Sequence, residues 1–406
     1  MKKALLILLV ASLLLTASAC SGKEQKTTET LEETTPVDTG LSDQEALASF
    51  FAKFKAGEYK VKIFDYEDYE EFVELGEYKG LEYPDSEELH PKVTDEKVND
   101  YITGIQLTAL IPDEDFITVK EGTVRKFDTV VMDYRGVIEG EAFEGGSAED
   151  QTLLIGKGDF IPGFEEGLIG AEIGKEVRLD LKFSPYYGSA DIAGKDVSFY
   201  VTVKEVSRVE TIPEVTVEEF NKFYGVFYGT TFESMEEVWN DIHGYLERQE
   251  EDRVNSLIVG YLEQRIIENS IIKKYPDKEM EYMRNVYTAY STQDKDPDVS
   301  VEEYCEETLG ITYEEFLEDA EEYARKYVAE ELVIRALIQK EAVEVTEEQM
   351  EALIVGMYQS DGAYYADLES FIADCVETYG GDVFWRQIAG NMVIETITES
   401  AVVQGA

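Results

Sequence analysis

The sequence predicts an α+β chain of more than one domain, and three observations carry that reading. Between Val130 and Val206, the segments Val130–Tyr134, Val177–Phe183 and Val197–Val203 alternate apolar and polar residues with period two, the pattern of half-buried antiparallel strands. From Thr211 onward the pattern becomes that of amphipathic helices. Ser/Thr-x-x-Glu/Gln capping boxes open them at Thr216–Glu219, Ser234–Glu237, Ser300–Glu303, Thr312–Glu315 and Thr346–Gln349. Ahead of both, the stretch after Cys20 up to Glu45 is rich in Thr, Glu and Ser with hardly a large apolar residue. It cannot bury enough surface to offset the entropy of ordering.

Composition narrows the function. The 406 residues are 44% hydrophobic, enough for two or three cores. Lys and Arg total 36 against 87 Asp and Glu, a formal charge of −51. That balance argues against nucleic acid as a partner, against electrostatic docking on anionic lipid and against ribosome docking, which needs a basic surface. It fits a protein that must stay in solution while exposing apolar surface. The two histidines, His90 and His243, lie far apart without a third partner at ligand spacing, so neither a zinc site nor His-dependent catalysis is expected. No metal or cofactor is expected elsewhere. Gly156-Lys-Gly158 lacks the spacing of a phosphate-binding loop. Asp294-x-Asp296-x-Asp298 begins like a calcium loop but has Val299 at the Gly position and Cys305 at the final Glu position.

The start of the chain sets an address. Lys2 and Lys3 precede a mostly apolar run, Ala4 to Leu15, too short for a typical spanning helix of roughly 20 residues and suited to a secretory signal. Ala17, Ser18 and Ala19 before Cys20 resemble the lipobox of bacterial lipoproteins, with Ala17 in place of the usual Leu. The resemblance implies a signal peptide over 1–19 and a lipidated Cys20, whose two or three acyl chains would anchor stably where one is marginal. A soluble secreted protein cut near Ala19 is the alternative. Residues 20–45 then read as a flexible acidic tether with a reach of about 25–30 Å. Of the other cysteines, Cys305 and Cys375 fall on apolar stretches of expected helices. An exported protein permits a disulfide between them, but buried thiols are the favoured reading in a chain this large.

Within the strand region lies an aromatic and aliphatic set with almost no catalytic polar groups: Tyr134, Phe143, Phe160, Ile161, Phe164, Tyr187 and Phe199. Around it run DYRG at Asp133–Gly136, FEGG at Phe143–Gly146 and GKGDFIPGFEEGLIG from Gly156 to Gly170. In that order the pieces resemble the FKBP-type peptidyl-prolyl isomerase domain in the form carried by the trigger factor family, here over residues 116–209. The resemblance implies that Phe164 forms the floor under a substrate proline, and that Phe143, Phe160, Ile161 and Phe199 form the walls. It also implies that Tyr187 offers its hydroxyl to the substrate carbonyl and that Tyr134 closes one side. Glu144 stands where many FKBPs carry Asp, and the loop around Ser189–Gly194 is short. Apolar chemistry suits such a reaction. An X–Pro bond turns slowly because twisting the amide breaks its resonance, and no nucleophile or metal is required to ease that.

Two further stretches are similar to trigger factor. IPEVTVEEFNKFYG at Ile212–Gly225 and FWRQIAGNMVIETITESAVV near the chain's end resemble the two ends of that family's C-terminal domain. They imply a helical chaperone domain over 210–406, with long helices at Ser234–Ile272 and Thr312–Val343. Met357, Tyr358, Tyr364 and Tyr365, beside Asp361-Gly362, are candidate client-binding residues. Residues 46–115 read as a remnant N-terminal segment and linker helix. It has a helix over Ala46–Phe54, a strand-like Leu75–Leu81 and a linker helix over Val93–Ile102, and it lacks a basic ribosome-binding loop.

The resemblance as a whole implies a peptidyl-prolyl cis-trans isomerase and chaperone, lipid-anchored at the outer face of the cytoplasmic membrane. Its partners would be unfolded or nascent exported polypeptides with X–Pro bonds, with no ribosome and no nucleic acid. A non-catalytic holdase or scaffold lipoprotein that binds unfolded clients is the alternative. A solute-capture lipoprotein fits the anchor but not the isomerase motifs.

Overall fold

The computed structural model describes residues 43–61, 63–187, 189, 192–227, 229–361 and 364–405. In chain order its elements are α1 (Asp43–Lys55), β1 (Val73–Glu74), β2 (Glu82–Tyr83), α2 (Asp95–Ile105), β3 (Ile117–Val119), β4 (Thr129–Ile138), β5 (Glu141–Leu154), α3 (Phe164–Leu168), β6 (Glu176–Lys182) and β7 (Asp196–Arg208). Then come α4 (Val217–Phe227), α5 (Met235–Asn269), β8 (Ile271–Ile272), α6 (Asp277–Ser291), α7 (Val301–Tyr304), α8 (Tyr313–Lys340), α9 (Glu347–Asp361), α10 (Leu368–Tyr379), α11 (Val383–Ser400) and β9 (Val402–Val403). Contacts divide the chain into two units, one of residues 84–257 and one that joins residues up to Tyr83 with those from Ile258.

The first unit is built on an antiparallel sheet with β7 at its centre. One edge of β7 pairs with β4, and β5 continues the sheet beyond it; the other edge pairs with β6 and then β3. Period-two alternation turns Val197, Phe199, Val201 and Val203 of β7 into the core. A register shift between Val131 and Met132 of the partner strand then resets the phase, so that Val206 is the next to be buried. Where the sheet begins, Asp128 and Arg208 form a buried ion pair. Arg208 also donates to the Thr123 carbonyl at 2.9 Å, and the Arg125 N–H donates to Asp128 at 2.7 Å. The strand expectations Val130–Tyr134 and Val197–Val203 fall inside β4 and β7, and Val177–Phe183 matches β6 apart from Phe183, just past its end. A separate apolar cluster in the same unit gathers Val98 and Ile102 of α2, Phe220 of α4, and Val238, Ile242 and Leu246 of α5.

The second unit is helical. Across both units the hydroxyl at each of the five expected helix starts accepts from the N–H three residues on, and the reciprocal bond that completes the box forms at Thr216, Thr312 and Thr346. The long helices appear as α5 and α8. Helix α8 is the spine, with Val328, Leu332, Val333 and Leu337 completely or nearly completely out of solvent. Around it pack Leu262 and Ile266 of α5, Met280 and Met283 of α6, and Val393 and Ile397 of α11. Cys305 and Cys375 are buried thiols. Among the described residues no helix is long and apolar enough to cross a membrane.

Residues 46–115, which the sequence sets apart, are shared between the two units. Helix α1 and the strap after it lie in the helical core, whereas residues from Pro84 on go with the sheet. The strap contributes Ile63, Phe64, Tyr69, Phe72, Val73 and Leu81 to the cluster around α8. Its strands are not at Leu75–Leu81 but on either side. β1 pairs antiparallel with β8, and β2 pairs parallel with β9. Their partners lie some two to three hundred residues away, which no local pattern can announce.

One buried carboxyl in this unit lacks compensation. Glu263 of α5 is buried, and its Oε2 has no hydrogen-bond partner. Burial first, and then the charge of Glu330, push its pKa up to about 8. A folded pKa above the unfolded value means that this group favours the fold in its protonated form. The stability it allows is fully present below about pH 4.5 and is lost as pH rises through about 8. Glu263→Gln is therefore expected to remove much of the fall in stability over that window, as read by urea unfolding at pH 5, 7 and 9.

Candidate functional site

Strand β4 shows how the sheet selects which groups face the recess. Asp133 and Arg135 turn to one side, where Asp133 meets Lys204 and accepts from the Asp150 N–H at 2.9 Å, and Arg135 lies 4.6 Å from the Tyr200 ring centre. The ammonium of Lys204 and that backbone N–H hold the Asp133 carboxyl below its usual range. Tyr134 and Gly136 face the other side. Gly136 and Gly146 of the two short motifs have a steric reason. A Cβ on Gly136 would lie 2.8 Å from the Phe199 ring and 2.9 Å from that of Phe143, and one on Gly146 would lie 2.7 Å from Phe143. The rings rest directly on backbone.

The aromatic set is contiguous. Phe160 stacks on Phe164 with centroids 4.4 Å apart. Tyr134 meets the edges of Phe160, Phe164 and Phe199 at 5.5, 6.1 and 6.0 Å. Phe199 lies 5.3 Å from Phe164. On the far side, Phe183 bridges Phe143 at 5.7 Å, Tyr187 at 4.7 Å and Phe199 at 6.5 Å. Tyr187 is 39% exposed, while Tyr134, Phe143, Phe160 and Ile161 are half-buried. Burial and the nearby Tyr187 raise the Tyr134 hydroxyl above its ordinary pKa, so the Tyr134 phenol stays protonated and able to donate. Glu144 lies in β5, but its side chain is outside the described residues.

The loop carrying Phe160 is wrapped around one carboxylate. Glu165, buried at the start of α3, accepts from the N–H groups of Gly156 and Gly158 at 2.7 and 3.0 Å through Oε2. Through Oε1 it accepts from Asp159 and Phe160 at 2.8 and 3.3 Å. Gly163 precedes α3 with φ +88°, a left-handed conformation that glycine adopts without strain. Its N–H donates to Glu166 at 3.1 Å. These contacts explain the run Gly156–Gly170 in physical terms: a loop of backbone donors closed on an acid, followed at once by a ring.

Phe164, which the resemblance makes the floor under a proline, is 0% exposed, with Phe160 stacked on it. It supports the layer that a ligand would touch. Phe183 was read only as the end of a strand; a period-two pattern gives its inward direction but not that it joins Phe143 to Tyr187. In the helical unit, Met357, Tyr358 and Tyr365 pack against the core of α1, α9, α10 and α11, and Tyr365 donates to Asp374 at 3.0 Å. Of that quartet Tyr364 is the open one, 63% exposed. Cys20 lies outside the described residues. Among the described residues no group of three or more His, Cys, Asp and Glu could hold a metal ion.

Comparison with known proteins finds two family matches. Residues 120–204 match the family described as FKBP-type peptidyl-prolyl cis-trans isomerase, and residues 234–375 match the bacterial trigger factor C-terminus. The chain is trigger factor-like, with an FKBP-type isomerase domain and a trigger factor C-terminal domain. It is 36% identical over 284 residues to a trigger factor of Halothermothrix orenii, covering 69% of this chain and 62% of that protein. To a trigger factor of Bacillus cereus strain Q1 it is 34% identical over 290 residues, covering 71% and 65%. The match thus spans a little under two thirds of the curated relatives. A solved structure, described as showing promiscuous substrate recognition in folding and assembly activities of the trigger factor chaperone, covers 80% of this chain and 73% of its own. It does so at 16% identity and a TM-score of 0.33.

The layering of the rings separates two mutations that the sequence would treat alike. Phe164→Ala removes a buried ring and is expected to cost about 3–5 kcal/mol of stability. Phe160→Ala removes a half-exposed ring and is expected to lower turnover of X–Pro peptides about tenfold, with a smaller loss of stability. Tyr187→Phe should cost only about 0.5–1.5 kcal/mol of transition-state stabilisation, one hydroxyl's net worth. Peptide isomerisation rates and urea unfolding, measured on each variant, check the order.

Proposed function

We propose that this chain catalyses prolyl cis–trans isomerisation in exported polypeptides while its helical unit holds them unfolded, tethered to the outer face of the cytoplasmic membrane through Cys20. The observation that carries the catalytic half is the single surface of Tyr134, Phe143, Phe160, Ile161 and Tyr187, with two phenol hydroxyls at one recess. A planar amide is polar and well solvated, whereas the twisted one is less conjugated. A water-poor ring surface with a donor aimed at the displaced carbonyl therefore favours the twisted form. A thousandfold acceleration needs only about 4 kcal/mol of such preference. Packing on Phe160 and one hydrogen bond from Tyr187 are of that size.

A second reading has its own observation. Phe160 stacked on Phe164 fills the depth where a proline ring would lie, as in a pocket that holds clients without turning them over. The two readings separate on one measurement. The full chain is expected to accelerate isomerisation of several X–Pro peptides, and a rate equal to the uncatalysed one would leave the non-catalytic holdase. The units also separate the two activities. A fragment of residues 116–209 contains the whole sheet core and should turn over short peptides yet fail to suppress aggregation of an unfolded client. A fragment that carries the holding activity must contain residues 43–83 as well as those from Ile258, because the strap supplies part of its core. Equal aggregation suppression by the 116–209 fragment and the full chain would remove the chaperone half.

The address rests on the charged start, the apolar run and the small residues before Cys20. Export also fits the acidic composition, which offers a ribosome no basic surface. Cys20→Ala is expected to leave the precursor unprocessed or release the protein from membranes. Failure of a labelled fatty acid to mark the wild-type protein would rule out the anchor.

A further inference from the structure

Residues 43–83 enter the helical unit in two physically different ways. The strap from Lys60 onward is riveted by polar contacts. Gly381 donates to the Lys60 carbonyl at 2.9 Å, the Phe64 N–H donates to Glu279 at 2.8 Å, and Arg335 donates to the Phe64 carbonyl at 3.1 Å. The Tyr69 N–H donates to Gln339 at 3.1 Å. Helix α1 is held by apolar surface. Leu47, Phe50 and Phe51 are buried among Ile354, Phe371 and Phe384, with Phe50 edge-on to Phe384 at 5.6 Å. At its outer edge Lys55 pairs with Glu347 in solvent, a contact of small energetic weight. Gly57, in the left-handed region at φ +65°, separates the two modes. It ends the helix and supplies a joint between a fixed strap and a docked helix.

We propose that α1 is a latch. It fills a groove formed by α9, α10 and α11 that otherwise accepts an amphipathic segment of an unfolded client, and clients bind there by displacing it. The proposal rests on the client-holding reading above and gives it a location. The occupant follows from α1 itself, since the groove accepts apolar anchors at positions i, i+3, i+4 and i+7 (Leu47, Phe50, Phe51 and Phe54), with a basic residue one position further on opposite Glu347. Apolar docking carries little sequence information, so any chain with that pattern competes. A 13-residue helix is marginal on its own, and once displaced it has no stable alternative to return from. Its short tether keeps it at high local concentration, which sets the threshold a client must exceed. Tyr364 offers a first point of contact. It is exposed, and its neighbour Tyr365 lies 5.2 Å from Phe371 on the groove floor.

The test uses the full chain and a permanently unfolded probe, reduced carboxymethylated lactalbumin. Leu47→Ser with Phe50→Ser is expected to raise probe affinity about tenfold if the groove is open roughly a tenth of the time in the wild type. Added peptide of residues 43–55 should reverse the gain. A readout without mutation is the accessibility of α1 itself, since Phe50 and Phe51 are buried in its docked form. In wild-type protein the probe is expected to speed chymotryptic cleavage after Phe50 and Phe51, followed by mass spectrometry, while a client seated in the groove keeps Cys375 of α10, in the cluster that α1 covers, protected from alkylation. Unchanged affinity in a folded double variant, or equal cleavage within α1 with and without saturating probe, would overturn the latch. If the double variant does not fold, the wild-type cleavage decides alone. If neither wild type nor variant binds the probe at all, the client-holding reading falls, and the latch with it.

Discussion

A single guanidinium ties the helical unit together. Arg335 of α8 is nearly out of solvent, with Glu331 one turn away at 2.6 Å and Asp382, just before α11, at 2.9 Å. Its remaining donors reach the Phe64 carbonyl at 3.1 Å and the Tyr69 hydroxyl at 3.4 Å. Arg386 adds a second cation to Glu331 at 3.5 Å. Burial alone would push the Glu331 carboxyl up; the two guanidiniums outweigh it and hold its pKa below the usual value. Breaking such a set by removing one member leaves an unpaired buried charge, a loss of about 3–5 kcal/mol. Three distant stretches of chain are therefore committed to one arrangement, and the apolar contacts of Phe64, Tyr69 and α8 form around it.

The isomerase recess follows the opposite rule. Polar groups of its strands are turned outward into pairs such as Lys204 with Asp133 and Asp150, and what faces inward is rings on bare backbone. A charged group there would be stabilised in both planar and twisted amide states and would add little to the difference that matters. The acid the site does use, Glu165, is buried behind the rings with four N–H groups closed on it. It acts on geometry, fixing the loop that presents Phe160. Stability and the shape of the recess are thus set by separate residues, Phe164 below and Phe160 above.

Much of this was legible in the sequence because it is local. Period two marks β4, β6 and β7 from side-chain direction alone. A hydroxyl three residues ahead of Glu or Gln marks the helix starts because the cap bonds span that interval. The rings named from the motifs lie together on the sheet, and Gly136 and Gly146 make room for them. What escaped depends on tertiary order. The burial of Phe164 under Phe160 is a matter of which of two rings, four residues apart, lies deeper, and both look equally apolar. Phe183 joins the set through neighbours on other strands. The strap's membership in the helical core depends on partners such as Glu279, Gln339 and Arg335, more than two hundred residues away. The quartet around Tyr364 has a helix-end pattern that fits solvent exposure and core packing equally well, and three of the four residues pack.

The discontinuity of the helical unit has a consequence for how it is assembled. The sheet unit is one continuous stretch and can form as soon as it is made. The strap must wait for residues from Ile258 on, across an insertion of roughly 170 residues. The entropy of closing such a loop grows only slowly with its length, but it is spent before the distant contacts return anything. Apolar contacts alone would let α8 and α11 collapse early without the strap, around an Arg335 lacking its carbonyl and hydroxyl partners. Leaving those donors buried and unmet is costly, so the half-formed unit stays open until residues 59–72 arrive. The polar rivets thus make the helical core form with the strap or not at all, and they leave α1, beyond Gly57, as the part whose docking can be reversed without undoing the rest.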